Sequence, residues 1–157
     1  MGDSQPADSL TFQMGKFAAA LPADMRYCRN HMWCRPGDDG VHRFGFTAYA
    51  IRLMQDVYFL DWCVNVGDVL AVKQQVGNIE TSKAVSDLFA PIAGKLTAFN
   101  QEVLKDPSHI NVDGYGRGWL FEMAGDLDTT LDVHAYRAFL AANWDQTQRI
   151  LKGQMGE

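Results

Sequence analysis

No apolar run in this chain approaches the roughly 20 residues that a helix needs to cross a bilayer, so a helical membrane protein is not indicated. Cysteine is scarce: Cys28, Cys34 and Cys63 are odd in number and lack the spacing of a disulfide framework. No C-x-x-C or H-x-x-x-H pair occurs either, which leaves no basis for a metal site and makes a reducing cytoplasm the default. A positive excess is also missing. Lysine plus arginine number 14 against 19 acidic residues, a formal charge of −5. That balance argues against nucleic acid and anionic membranes as partners and favours docking against basic patches on other proteins. Met1–Pro6 has no basic n-region, and Phe17–Leu21 is too short for a signal-peptide core.

What remains is ordinary for a folded domain: 157 residues, 47% apolar and 21% charged, enough to bury a sizeable core. Residues 1–24 read as a loosely organised lead-in, polar and then Ala-rich, where Phe12, Met14 and Phe17 dock a short helical turn onto the body. Residues 25–157 read as one domain. Arg26 to Arg35 is extended and aromatic, Pro36–Gly40 is a strong turn cluster, and Val41–Phe46 alternates like a returning strand. Thr47 is placed to cap a short helix over Ala48–Met54. Strands follow at Val57–Trp62, Val69–Val72, Gln75–Glu80, Ala84–Ala90, Gly94–Asn100 and Gly118–Met123, with breaks at Asp106-Pro107 and Asp113–Gly116. From Asp132, apolar residues at Val133, Tyr136, Phe139 and Leu140 recur every three or four positions, the mark of an amphipathic helix running toward Leu151. Short strands followed by helix make a small β-sandwich with helical trimmings. The fold class is mainly β.

Glu80-Thr81-Ser82-Lys83-Ala84 stands between two β-rich runs and reads as a hairpin with one lysine at its exposed tip. An amine there is well placed for enzymatic acylation, although an ordinary solvated lysine is the usual occupant of such a turn. Gly114, Gly116 and Gly118 do not make a phosphate loop, because the run feeds a strand and not a helix. They read as a turn passing closely under the sheet edge. Trp33, Trp62 and Trp119 read as core.

The surrounding segments resemble the glycine cleavage system H-protein family, in order. Arg26-Tyr27 and His31-Met32-Trp33 resemble the family's Tyr and His-Glu-Trp; Phe46-Thr47-Ala48-Tyr49-Ala50 sits where it writes Ile-Thr-Asp-x-Ala. Glu80–Ala84 resembles Glu-Ser-Val-Lys-Ala, and Ser86-Asp87 with Ala90-Pro91-Ile92-Ala93-Gly94 follows in register. Asn111 and Tyr115–Leu120 resemble its Asn and Tyr-Gly-x-Gly-Trp-Leu. The resemblance covers about residues 24 to 140. It implies a hybrid barrel-sandwich of two small antiparallel sheets, lipoyl-domain-like, with lipoate attached covalently to Lys83. It further implies a non-catalytic carrier, whose swinging arm raises the effective concentration of a bound intermediate near each partner. Glu80, Thr81, Ser82, Ala84 and Asp87 are the expected surroundings of the attachment, with His31 and Met32 at the arm's resting place. A lipoate ligase or lipoyl transferase must install the arm. A cytoplasmic monomer is expected.

The chain departs from the family at two acidic positions, where Met32 replaces the glutamate and Ala48 the aspartate. An aminomethyl cargo is cationic and wants a carboxylate nearby. A sulfur cargo does not, and the soft Met32 suits sulfur. Cys28 and Cys34, read as six residues apart on one strand and too distant for a disulfide, are candidate redox groups. The pattern resembles the H-protein-like lipoate-binding proteins of bacterial sulfur oxidation, partners of a heterodisulfide-reductase-like complex. Sulfur transport is therefore the leading expectation. The alternative is a true H protein serving a glycine decarboxylase, an aminomethyltransferase and a dihydrolipoyl dehydrogenase. A further class is a module without lipoate that only binds partners.

Overall fold

In the computed structural model, residues 9–154 are described, with side chains through Ile150. Eleven strands and four helices alternate: β1 (Leu10–Met14), β2 (Phe17–Leu21), β3 (Arg26–Tyr27), β4 (Met32–Arg35), β5 (Val41–Phe46), α1 (Ala48–Met54), β6 (Val57–Trp62), β7 (Val69–Leu70), β8 (Gln75–Thr81), β9 (Val85–Phe89), β10 (Gly94–Phe99), α2 (Gln101–Lys105), α3 (Ser108–Val112), β11 (Phe121–Ala124) and α4 (Val133–Gln154). A six-stranded sheet in the order β3-β4-β5-β11-β10-β7 faces a three-stranded sheet in the order β6-β8-β9, all pairs antiparallel. The fold is mainly β with a short internal helix and a C-terminal helix, as anticipated.

The main core lies between these sheets and includes Phe44, Phe46, Val76, Ile79, Leu88, Ile92, Leu96 and Phe121. In β4, Met32, Trp33 and Cys34 are all buried, so the strand loses its inside–outside alternation. The reason is a second core on its other face. Met32 and Cys34 point into the main cluster, while Trp33 packs with Tyr27, Tyr49, Tyr136 and Leu140.

The N-terminal segment supplies much of that second core and corrects the expected lead-in. Residues 10–21 form a two-stranded hairpin, Leu10 opposite Leu21 and Met14 opposite Phe17, and not a helical turn. Phe12, Met14, Ala19 and Leu21 turn inward. Residues 1–8 lie outside the described residues. Gly15, at φ +63°, makes the tight reversal. The run Ala18-Ala19-Ala20 hid the strand, since alanine is a weak strand former. Phe12 meets Tyr49 and Trp144 edge to face, at 5.8 and 5.6 Å between centroids, so the hairpin is clamped between α1 and α4.

Thr47 caps α1 by accepting the Ala50 amide, and Asp132 accepts the Ala135 amide at the start of α4. The one-turn helices α2 and α3 fall on stretches after Asn100 to which the sequence assigns no element; five residues are too few to show a 3.6-residue period. Residues 26–35 are likewise not one strand. They form a hairpin whose turn is Cys28–His31, with Arg26 opposite Cys34. The glycine-rich turn passes under α3 and not under a sheet edge. A Cβ on Gly118 would lie 2.6 Å from the His109 carbonyl oxygen. Among the described residues no helix is long and apolar enough to cross a membrane.

Candidate functional site

Strands β8 and β9 pair from Gln75–Phe89 to Glu80–Val85, and Lys83 occupies the turn that joins them. Both strand residues and turn are held by local hydrogen bonds. The Thr81 amide donates to the Ala84 carbonyl at 2.9 Å. The Thr81 hydroxyl accepts from the Lys83 and Ala84 amides at 3.2 and 3.4 Å, folding the side chain across the turn. Ser82 donates its amide to the Asp56 carbonyl at 2.9 Å. The backbone is thus pinned while the Lys83 side chain is exposed. Among the described residues its ammonium has no hydrogen bond or ion pair. A free amine on a rigid, protruding turn is sterically open to acylation.

The anchor beneath the turn is itself braced. Asn111, in α3, accepts the Val57 amide at 3.0 Å and donates to the Gln55 carbonyl at 2.7 Å, gripping the chain on both sides of Asp56. Gln55 adopts φ +63°, ψ −139° as it ends α1, a region that favours glycine. A cleft of about 480 Å³ opens beside Asp56, lined by Phe17, Ala48, Arg52, Asn111 and Tyr115 among others. The Arg52 guanidinium lies 4.8 Å over the Phe17 ring. The parts played by Asp56 and Asn111 had escaped sequence reasoning. Asn111 was visible only as one member of a motif, and nothing local announces that it reaches back some 55 residues.

The anticipated site residues divide into two groups. Glu80, Thr81, Ser82, Lys83, Ala84 and Asp87 share the hairpin, with Asp87 opposite Asn78 and accepting from Gln75 Nε2 at 3.1 Å. His31 and Met32 do not join them. Their turn meets β9 at its far end, where Asn30 Nδ2 donates to the Phe89 carbonyl at 3.0 Å, about 20 Å along the strand from Lys83 at ~3.3 Å per residue. His31, at φ +68°, packs on Tyr49 and bonds the Tyr136 hydroxyl through Nδ1 at 3.0 Å. Burial lowers its pKa to about 4, so the ring is neutral. Met32 is 1% exposed, opposite Phe46 in the main core.

Cys28 and Cys34 are buried free thiols. Burial pushes Cys34 up to about 12 and Cys28 higher still, the latter also raised by Cys34. Neither is a thiolate near neutral pH, the form a redox step requires. Among the described residues no cluster of His, Cys, Asp and Glu could hold a metal ion.

With this geometry established, comparison with known proteins decides the family. The family described as Glycine cleavage H-protein matches residues 25–138. The chain belongs to the glycine cleavage H-protein family. It is 39% identical to the glycine cleavage system H protein of Psychrobacter cryohalolentis over 123 residues, 78% of this chain and 93% of that one. It is 38% identical to that of Chromobacterium violaceum over 126 residues, 78% and 98% of the two chains. A crystal structure of a glycine cleavage system H protein from Mycobacterium marinum superposes with a TM-score of 0.67 at 31% identity, covering 77% of this chain and 99% of that one. The β1–β2 hairpin precedes the span that the H-protein family matches, yet it contributes Phe17 to the cleft.

Proposed function

We propose that Lys83 carries lipoate in amide linkage and that the protein is the aminomethyl carrier of a glycine cleavage system. The observation that carries the attachment is the exposed Lys83 amine, without a partner among the described residues, on a backbone turn fixed by Thr81 and by the Ser82–Asp56 bond. Family membership supports the rest. When attached, the dithiolane supplies a reversible sulfur chemistry that picks up and releases cargo. The chain's own residues present that group, hold its root still and leave the catalysis to partners.

The cargo assignment turns on where carboxylates sit. The sulfur reading rested on Met32 and Ala48 having displaced acidic residues near the arm. Met32 lies inside the main core, so its side chain lines no surface that a cargo would visit. Asp56, exposed and lining the cleft beside the turn, gives a cationic cargo a carboxylate within reach. A glycine decarboxylase, an aminomethyltransferase and a dihydrolipoyl dehydrogenase are then the enzymes served, after a ligase or transferase has installed the arm. The working unit is a monomer acting in the cytoplasm, its folded body made of residues 25–157 together with the β1–β2 hairpin that packs on them.

A second reading retains one supporting observation. Ala48 and Phe17 make part of the cleft wall apolar, which suits a sulfur cargo destined for a heterodisulfide-reductase-like complex. Intact-mass measurement of lipoylated protein incubated with glycine and a glycine decarboxylase separates the two. A mass gain localised to the Lys83 peptide supports the aminomethyl carrier. A lipoylated Lys83 that stays unloaded removes that reading and leaves the sulfur cargo.

A further inference from the structure

The outer face of the β6-β8-β9 sheet carries two cross-strand rows beside Lys83. Phe59, Glu80 and Val85 are direct neighbours across the three strands; Asp61, Asn78 and Asp87 form the next row. Residues paired in this way project from the same face. The opposite face turns Leu60, Ile79 and Ser86 toward the core side, with Ile79 fully buried. Phe59 is 65% exposed and Val85 64%. The six positions hold three carboxylates and no cation. An exposed aromatic set among carboxylates serves no purpose in the core, and clusters of this kind mark contact sites.

An enzyme that acylates Lys83 has to bring its active centre onto Nζ before any arm exists. Enzymes served by the arm meet a flexible extension; this one must cover the turn itself. An ordinary interface buries about 800 Å² on each partner, which takes in both rows around a turn only a few residues away. We propose that this face is the docking surface of the lipoate-attaching enzyme, with Phe59 filling an apolar pocket and Glu80, Asp61 and Asp87 meeting a basic patch. The proposal rests on the reading of Lys83 as the lipoyl site. Acylation also removes the Lys83 charge, so the product leaves a face that is more negative than the one that bound.

The test follows lipoylation of the unmodified full chain by intact mass, using a purified ATP-dependent lipoate–protein ligase with lipoate and ATP. Phe59→Ser is expected to lower kcat/KM at least tenfold, mainly through KM. The double substitution Asp61→Asn, Asp87→Asn is expected to lower it severalfold at low salt and to flatten its decline with added salt. Val112→Ser, on α3 and 81% exposed in the parent, is expected to stay within twofold, and thermal melts confirm that each variant is folded. Unchanged kcat/KM in both the Phe59 and the double variant, with the parent modified at Lys83, overturns the docking surface alone. No mass gain on the parent, or a gain that persists in Lys83→Arg, overturns the lipoyl assignment and the docking surface with it.

Discussion

The Ser82 amide donates to the Asp56 carbonyl at 2.9 Å, and this bond ties the lysine turn to the residue just before β6. Because Asn111 holds the chain on both sides of Asp56, a side chain in α3 controls how firmly the turn is seated. Rigidity at the root and freedom at the tip are what a tethered carrier needs.

Asn111→Ala should therefore weaken the fold and loosen the turn together. The Val57 amide, in a residue 5% exposed, loses its acceptor, and an unpaired buried donor costs about 1–3 kcal/mol. Urea denaturation should register that loss, and hydrogen exchange at the Ser82 amide should accelerate. An unchanged exchange rate would detach Asn111 from the turn.

Lys83→Ala is expected to do the opposite. The side chain is exposed and has no partner among the described residues, so stability should change by no more than about 0.5 kcal/mol, while lipoate incorporation, read by intact mass, should vanish. Loss of folding would contradict the exposed turn.

Much of this is legible in the sequence alone. Helix α1 over Ala48–Met54 and strand β6 over Val57–Trp62 follow from a capping threonine and a β-branched, aromatic run. The lysine hairpin follows from two apolar runs around a polar tip. Three things were hidden, each for a physical reason. An alanine-rich strand has no propensity signature. One-turn helices are shorter than the period that reveals helices. The double-faced burial of β4 depends on a second core assembled from residues more than 100 positions apart, such as Phe12 and Trp144. Of the site, the hairpin residues could be read locally, whereas the support from Asp56 and Asn111 is a tertiary relationship.

Leu21→Ala tests whether the N-terminal hairpin belongs to the cooperative unit. Leu21 is fully buried in the second core, and truncating such a leucine costs about 2–5 kcal/mol. A single denaturation transition shifted by that amount is expected. A small early transition followed by an unshifted main one would make the hairpin an appendage.

His31 should make stability depend on pH. Its folded pKa is depressed to about 4 from an ordinary 6.5 by burial, so the unfolded chain binds the proton more readily. Stability is fully present above about 6.5 and falls as pH drops toward 4, by as much as about 3 kcal/mol across that window. Tyr136 bridges His31 and Thr47 at 3.0 Å to each, and Thr47 caps α1, so protonation strains that helix as well. His31→Asn, which tolerates positive φ, should flatten melting temperature between pH 4 and 6.5. An equal slope in parent and variant would assign the pH dependence elsewhere.

Met32→Glu addresses the cargo argument directly. Restoring the carboxylate that the family carries would help a cationic cargo only if position 32 faced the arm. Instead Met32 is 1% exposed, among Phe44, Phe46 and Leu88 in the main core. A glutamate there is a buried charge without a partner, and stability at neutral pH should fall by about 3–5 kcal/mol. Burial raises such a carboxyl above its unfolded value, so the folded state binds the proton more readily. The penalty should be small near pH 4 and grow as pH rises. Denaturation curves at several pH values check this. A variant that keeps parental stability at neutral pH, and loads its arm faster, would place residue 32 at the arm's resting surface. A variant that is merely unstable would make the methionine a packing residue, and leave Asp56, which lines the cleft beside the turn, as the carboxylate offered to a cationic cargo.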